Sequence, residues 1–187
     1  MSQETAGTKN GIKRLIMTSK DVVELYSELD DLNIKIWIDG GWSVDALLSK
    51  QLRSHNDLDI AMQWKDVPKL REVLAAKGYK QIREDSLWNF VLGDGNGHEV
   101  DVHAFIYDDK RNIVDGIIYP AKSLTGTGTI DGHSVRCISP KYMVEFLAPW
   151  IQKWPEKYLE AVSVLCEKFN IKPPKEYKKF VECKKNG

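Results

Sequence analysis

Three acids carry the chemistry this sequence suggests: Asp57 and Asp59 in Asp57-Leu58-Asp59-Ile60, and Asp101 in Glu99-Val100-Asp101-Val102-His103. Each sits in an alternation of acidic and apolar residues, the pattern of a half-buried strand. Residues two apart on a strand share a face, so Asp57 and Asp59 point together while Leu58 and Ile60 point into a core. Neighbouring carboxylates repel, and a divalent cation removes that cost. Upstream, Gly40-Gly41 has no Cβ atoms to keep an anion away from the backbone N–H groups. Paired acids, a cation and a phosphate cradle are the equipment of nucleotidyl transfer. In that reaction a hydroxyl oxygen attacks the α-phosphorus of a nucleoside triphosphate and pyrophosphate leaves. One Asp alone is more often a solvent-facing residue than a ligand; three in order behind a glycine turn outweigh that bland reading.

The elements that must hold these acids can be read from local pattern. Val22, Leu25, Tyr26, Leu29 and Leu32 have helical spacing after a Thr18 or Ser19 cap. Ile34–Ile38 alternates as a strand and ends at Asp39-Gly40-Gly41; Val44, Leu47 and Leu48 then continue as a short helix. That places the two glycines at a strand-to-helix turn. Leu58–Met62 is the next strand, followed by a helix capped by Asp66, started by Pro68 and stopped at Gly78. Tyr79–Arg83 and Trp88–Leu92 are expected strands, and Gly93-Asp94-Gly95-Asn96-Gly97 turns the chain into His98–Tyr107. Ile113–Tyr119 is a further candidate strand. Asp131-Gly132 marks the tip of a hairpin over Thr129–Ile138, and Ser139-Pro140 opens a helical tail of three segments. The expected organisation is a loose end at 1–13, an α/β domain with a mixed sheet at 14–139, and a helical segment at 140–187.

Bulk composition narrows the partners. Lys plus Arg and Asp plus Glu are both 27, so the net charge is zero. A nucleic-acid partner usually demands a basic excess, so none is expected. Cys137, Cys166 and Cys183 have neither disulfide nor zinc spacing and read as reduced thiols. Without an apolar run of roughly 18 residues or a signal-peptide core, no membrane partner is expected and the cytoplasm is the expected compartment.

As an ordered set, Gly40-Gly41-Trp42-Ser43-Val44-Asp45, Arg53-Ser54-His55-Asn56-Asp57-Leu58-Asp59-Ile60 and Asp101-Val102-His103 resemble the signature of small-molecule antibiotic nucleotidyltransferases. The resemblance is to the lincosamide and 2''-aminoglycoside types, within the DNA polymerase beta-like superfamily. Val135-Arg136-Cys137-Ile138-Ser139 is similar to the entry into the C-terminal helix of the lincosamide type. The likeness spans Ile34–Ser139 and implies a polymerase beta-like fold. It also implies Mg²⁺-dependent transfer, two ions (Mn²⁺ as a substitute), and AMP from ATP as the group moved. The implied acceptor is a hydroxyl of a lincosamide or aminoglycoside-like antibiotic. One departure is Trp42, which stands where the wider superfamily places Ser, so Ser43 becomes the hydroxyl expected at the phosphates.

Within this scheme Asp57, Asp59 and Asp101 are the metal ligands, and Asp101 is also placed to take the hydroxyl proton. Gly40, Gly41, Ser43, Arg53 and His55 are the expected nucleotide-binding residues, Arg53 through its fork. Glu99 and His103 share the Asp101 face and are candidates for the acceptor side. Trp42 is expected under the glycine turn and Trp88 in the core. Tyr142, Phe146, Trp150, Trp154 and Tyr158 form an aromatic stripe on the tail, read first as helix packing and second as an acceptor wall. The rivals are a nucleotidyltransferase acting on a protein hydroxyl, a sugar-nucleotide glycosyltransferase, and a catalytically weak nucleotide-binding domain.

Overall fold

The computed structural model describes residues 16–110 and 112–185, with side chains through residue 180. The expected loose end at 1–13 therefore lies outside the described residues, as does the Cys183 side chain. Helix α1 (Ser19–Asp31) opens with a complete capping box: the Thr18 hydroxyl accepts from Asp21 N–H while the Asp21 carboxylate accepts from Thr18 N–H. Its buried stripe of Val22, Leu25, Tyr26 and Leu29 packs on the short strand β1 (Ile36–Ile38). β1 is shorter than the apolar alternation suggested, because Ile34 N–H bonds back to Leu29 O at 2.8 Å and closes the turn after α1.

The sheet is mixed. Strands β2 (Asp57–Gln63), β3 (Lys80–Ser86), β4 (Asn89–Gly93), β5 (Glu99–Tyr107), β6 (Ile113–Gly116), β7 (Gly126–Ile130) and β8 (His133–Cys137) join β1. They lie in the order β3-β4-β5-β2-β1-β8-β7, with β6 on β5. The pairing that matters most is β2 beside β5, parallel, which sets Asp57 opposite Glu99 and Asp59 opposite Asp101. Leu58, Ile60, Val100 and Val102 are fully buried, so the reverse face of both central strands is sealed. The Asp131-Gly132 hairpin tip takes positive φ at both residues, as a two-residue turn of this hand requires.

Helix α2 (Gly40–Leu48) follows β1 directly, and α3 (Val67–Ala76) crosses from β2 to β3. Asp66 precedes α3 without a side-chain cap, because a 3-10 turn at Trp64–Asp66 already leads the chain into the helix. Gly78, at φ +86°, ends it as expected. The tail forms α4 (Pro140–Leu147), α5 (Pro155–Lys168) and α6 (Lys175–Lys185), and α2, α4 and α5 pack together. Cys137 and Cys166 are buried free thiols. Trp88 is half-buried rather than central, meeting Trp64 edge-on at 4.9 Å. Among the described residues no helix is long and apolar enough to cross a membrane.

Candidate active site

The site begins where β1 ends. Asp39 caps α2, and its Oδ1 accepts the Gly40 N–H at 2.7 Å. Gly40 has φ +56°, and a Cβ there would overlap the Asp59 carboxylate. The absence of that atom is what lets Asp59 lie against the head of α2. A Cβ on Gly41 would instead overlap the His55 ring and come within 3.0 Å of the Arg53 guanidinium. Gly41 is the second residue of α2, where a backbone N–H has no acceptor within the helix. The Gly40 N–H is thus taken by Asp39, while that of Gly41 has no acceptor within α2.

Asp59, Asp101 and His103 offer ligand atoms within 4.8 Å of one another. Burial, then the Asp57 and Asp39 carboxylates, push the Asp59 carboxyl up to about 7. Asp101 goes the other way. Against the cost of its burial, His103 and Arg83 hold it below the usual carboxylate range, and Asn89 adds a hydrogen bond. Arg83 Nη2 donates to Asp101 Oδ2 at 2.7 Å, and Asn89 Nδ2 donates to Oδ1 at 2.7 Å. His103 lies among these acids, with Nε2 3.5 Å from Asp101 and Nδ1 3.4 Å from Asp39. Burial favours its neutral form, but hydrogen bonding to Asp101 and Asp39 and the charges of Asp39 and Asp59 raise it to about 10. The imidazolium is therefore the positive charge that offsets the acids when they are alone. Tyr119 closes the network, its hydroxyl donating to Asp39 Oδ2 at 2.5 Å and lying 2.8 Å from His103 Nδ1.

A cleft of about 300 Å³ opens over this cluster. Asp39, Gly40, Gly41, Asp57, Asp59 and His103 line its sheet side. Ile117, Ile118 and Tyr119 from the segment after β6, and Phe146, Trp150 and Tyr158 from the tail, complete its lining together with Arg53 and Lys157. The aromatic stripe thus divides. Phe146, Trp150 and Tyr158 reach the cleft, while Tyr142 packs on Phe146 at 6.1 Å and Trp154 stacks on Trp150 at 5.5 Å.

Two expected nucleotide contacts turn inward. Ser43 is fully buried, and its hydroxyl makes no hydrogen bond among the described residues. Six consecutive residues of α2, Trp42 to Leu47, are buried, so the helix has no solvent face at Ser43 for a hydroxyl to use. His55 is also buried, with Nε2 2.6 Å from Asp45 Oδ2 and its ring against Trp42 at 4.7 Å. It pins the loop before β2 onto α2, and Arg53 alone of that pair faces the cleft. Trp42 does pack under the turn, as expected. Glu99 begins the same strand face as Asp101 but does not line the cleft. Asp39, Tyr119, Arg83, Asn89 and Lys157 belong to the site without having been singled out. For Asp39 a signal was present, since an Asp directly before a glycine helix start is a capping residue.

Against known proteins, a family model described as aminoglycoside-2''-adenylyltransferase matches residues 21–150, which spans every element that builds the cleft floor. The chain belongs to that family. It is a nucleotidyltransferase by class. A 2''-aminoglycoside nucleotidyltransferase from Escherichia coli is 25% identical over 152 residues, 76% of this chain and 82% of that protein. A lincosamide resistance protein from Staphylococcus haemolyticus is 34% identical over 64 residues, 34% of this chain and 40% of that protein. The fold of this family member is shared with two solved structures. ANT(2'')-Ia in complex with adenylyl-2''-tobramycin superposes with a TM-score of 0.67 at 22% identity, covering 81% of this chain and 88% of that one. A lincomycin-bound lincosamide antibiotic adenylyltransferase gives 0.63 at 23% identity, covering 70% and 86%.

Proposed function

We propose that this protein transfers a nucleoside monophosphate, AMP from ATP, to a hydroxyl of a small molecule of the antibiotic type. The observation that carries the reading is the parallel register of β2 and β5. It sets Asp59 opposite Asp101 with Asp57 on the same face, beside the head of α2.

The donor set fits a divalent cation. Asp59 is driven up to about 7 by burial and by Asp57 and Asp39, a penalty that a bound cation removes. Oxygen-rich ligation of this kind suits Mg²⁺, or Mn²⁺ in its place, with Asp57, Asp59 and Asp101 as ligands. Two such ions, when bound, supply activation of the acceptor oxygen and neutralisation of the pyrophosphate.

The chain's own residues do the rest. Gly41 N–H and the positive end of α2 face the phosphates, with Arg53 and Lys157 as their cationic partners. Asp101 accepts the proton of the attacking hydroxyl, and Arg83 and Asn89 hold its carboxylate in place. His103 and Tyr119 fix Asp39 and so the start of α2. The test is pyrophosphate release with MgATP over a panel of hydroxylated antibiotics, with Asp59→Asn as control. Release that survives in Asp59→Asn or in excess chelator would refute the reading.

A further inference from the structure

Asp101 is held by two donors of different kind. Asn89 Nδ2 gives its Oδ1 a neutral hydrogen bond and Arg83 Nη2 gives its Oδ2 a charged one, both at 2.7 Å. Register explains how a residue of the sheet edge reaches the site. Arg83 pairs with Val91, Val91 with Asp101, and Asp101 with Asp59, which sets them in one row across β3, β4, β5 and β2. Partners in a row share a face, so the guanidinium reaches over β4 to an acid about 10 Å away at ordinary strand spacing. Register shifts in β3 flank Arg83 and Glu84, and such bulges re-aim side chains. On its other side Arg83 Nε holds Asp85 at 2.8 Å.

Fixing the Asp101 carboxylate needs only a donor, as Asn89 shows. Arg83 adds a permanent positive charge, and adds it to a carboxylate proposed to ligate a cation. We infer, on the nucleotidyl-transfer reading above, that Arg83 keeps the affinity of Asp101 for its ion low in the nucleotide-free protein, so that this ion binds tightly only together with the triphosphate. Ligation itself is open. Each Asp101 oxygen keeps a lone pair beside its donor, and Asp59 and His103 offer ligand atoms within 4.8 Å. What the site lacks is negative charge, because the guanidinium offsets one carboxylate of the Asp59 and Asp101 pair. The triphosphate makes up that deficit with its own oxygens. Ion and triphosphate thus raise each other's affinity, and the residue that couples them lies on β3, outside the glycine turn and the Asp-x-Asp strand.

The probe is Mn²⁺, with the free ion counted by electron paramagnetic resonance in the presence of the full chain. Neither acceptor nor turnover is needed. Without nucleotide, Arg83→Gln keeps an amide donor and loses the charge, and is expected to bind Mn²⁺ about tenfold more tightly than wild type. Arg83→Lys keeps the charge and should stay within about threefold of wild type. The gain should vanish when Arg83→Gln is combined with Asp101→Asn. With a non-hydrolysable ATP analogue, corrected for the Mn²⁺ that the analogue binds alone, it should shrink to within about threefold. The Arg83 side chain is half exposed on an edge strand, so these substitutions leave the core closed. Affinity in Arg83→Gln equal to or weaker than wild type would overturn the inference and leave Arg83 as an anchor of Asp101 only. An equal gain in Arg83→Lys, or a gain that survives Asp101→Asn, would overturn it as well, since the charge or Asp101 would then have no part in it. Tighter Mn²⁺ in Arg83→Gln without pyrophosphate release from any acceptor would count against the transfer reading alone. Unchanged Mn²⁺ affinity in Arg83→Gln beside an active wild type would count against the role of Arg83 alone.

Discussion

Replacing Asp59 by Asn should stabilise the metal-free protein, and by more at pH 8 than at pH 5. Burial, then Asp57 and Asp39, raise the folded-state carboxyl from 3.8 to about 7. A carboxyl raised by folding contributes stability that is complete below its unfolded value and is lost as pH climbs through the folded one. The loss therefore falls between about pH 4 and pH 7. At 1.36 kcal/mol per pKa unit, the fall between pH 5 and pH 8 is roughly 2 to 3 kcal/mol as an upper bound, because the neighbouring acids titrate together. Asn carries no such dependence. In a chain of this size 1 kcal/mol moves Tm by about 2–4 °C, so the variant's advantage should be roughly 5–10 °C larger at pH 8 than at pH 5. His103 titrates in both proteins and is held mainly by Asp101 and Asp39, so comparing the variant with wild type at each pH largely removes it. The assay is thermal unfolding by circular dichroism in chelator, both proteins at both pH values. Added Mg²⁺ should then raise the wild-type Tm by more than the variant's. An equal advantage at the two pH values, or a less stable variant at pH 8, would refute the electrostatic argument.

Asp101→Asn should keep triphosphate binding within about threefold while turnover falls by 10² or more, since Asn takes no proton; equal loss of binding in Asp101→Asn and Asp57→Asn would make Asp101 one more ligand of the same ion. Gly41→Val should weaken binding of a non-hydrolysable triphosphate by about tenfold and cost about 1–3 kcal/mol of stability, because the new side chain overlaps the His55 ring and crowds Arg53; unchanged calorimetric affinity would return Gly41 to a plain turn. Lys157→Ala should raise the KM for triphosphate by about tenfold with Tm intact, as the side chain is exposed and its loss removes one charge-assisted contact; an unchanged KM would place Lys157 outside the phosphate site.

The local features were readable because each has a local cause. The alternation around Asp57-Leu58-Asp59 and around Asp101 is set by one buried and one open face, and both strands formed where that alternation lies. The turn at Gly93–Gly97, the Asp131-Gly132 tip and the stop at Gly78 follow from backbone conformations that those residues favour. Strand order had no such signal. Nothing in the spacing shows that β2 pairs with β5 rather than with β3 or β4. Tyr119 was hidden because it follows the strand pattern into an irregular segment, yet its hydroxyl reaches Asp39 across 80 positions of sequence. Ser43 and His55 misled for the opposite reason. Polar residues near a motif read as ligands, but α2 is enclosed by β2, β7, α4 and α5, so Ser43 is buried there and His55 turns in to bond Asp45. Arg83 lies on an edge strand whose side chains are all exposed, and only the β4 register carries it to Asp101.

The parallel pairing of β2 with β5 also governs when a working centre first exists. A parallel pair needs a long crossover, and here the chain must lay down α3 and the β3–β4 hairpin before Asp101 arrives opposite Asp59. The stretch from Ile34 to Asp66 contains the glycine turn and the Asp-x-Asp pair and yet lacks Asp101, the third proposed ligand. A nascent or clipped chain ending before Asp101 would therefore carry most of the family signature while missing one acid of the proposed ion site. Cation affinity is in this sense a property of completed topology, gained late in folding with the other long-range contacts. An excess of Mg²⁺ should for that reason slow unfolding while leaving the early steps of folding unchanged.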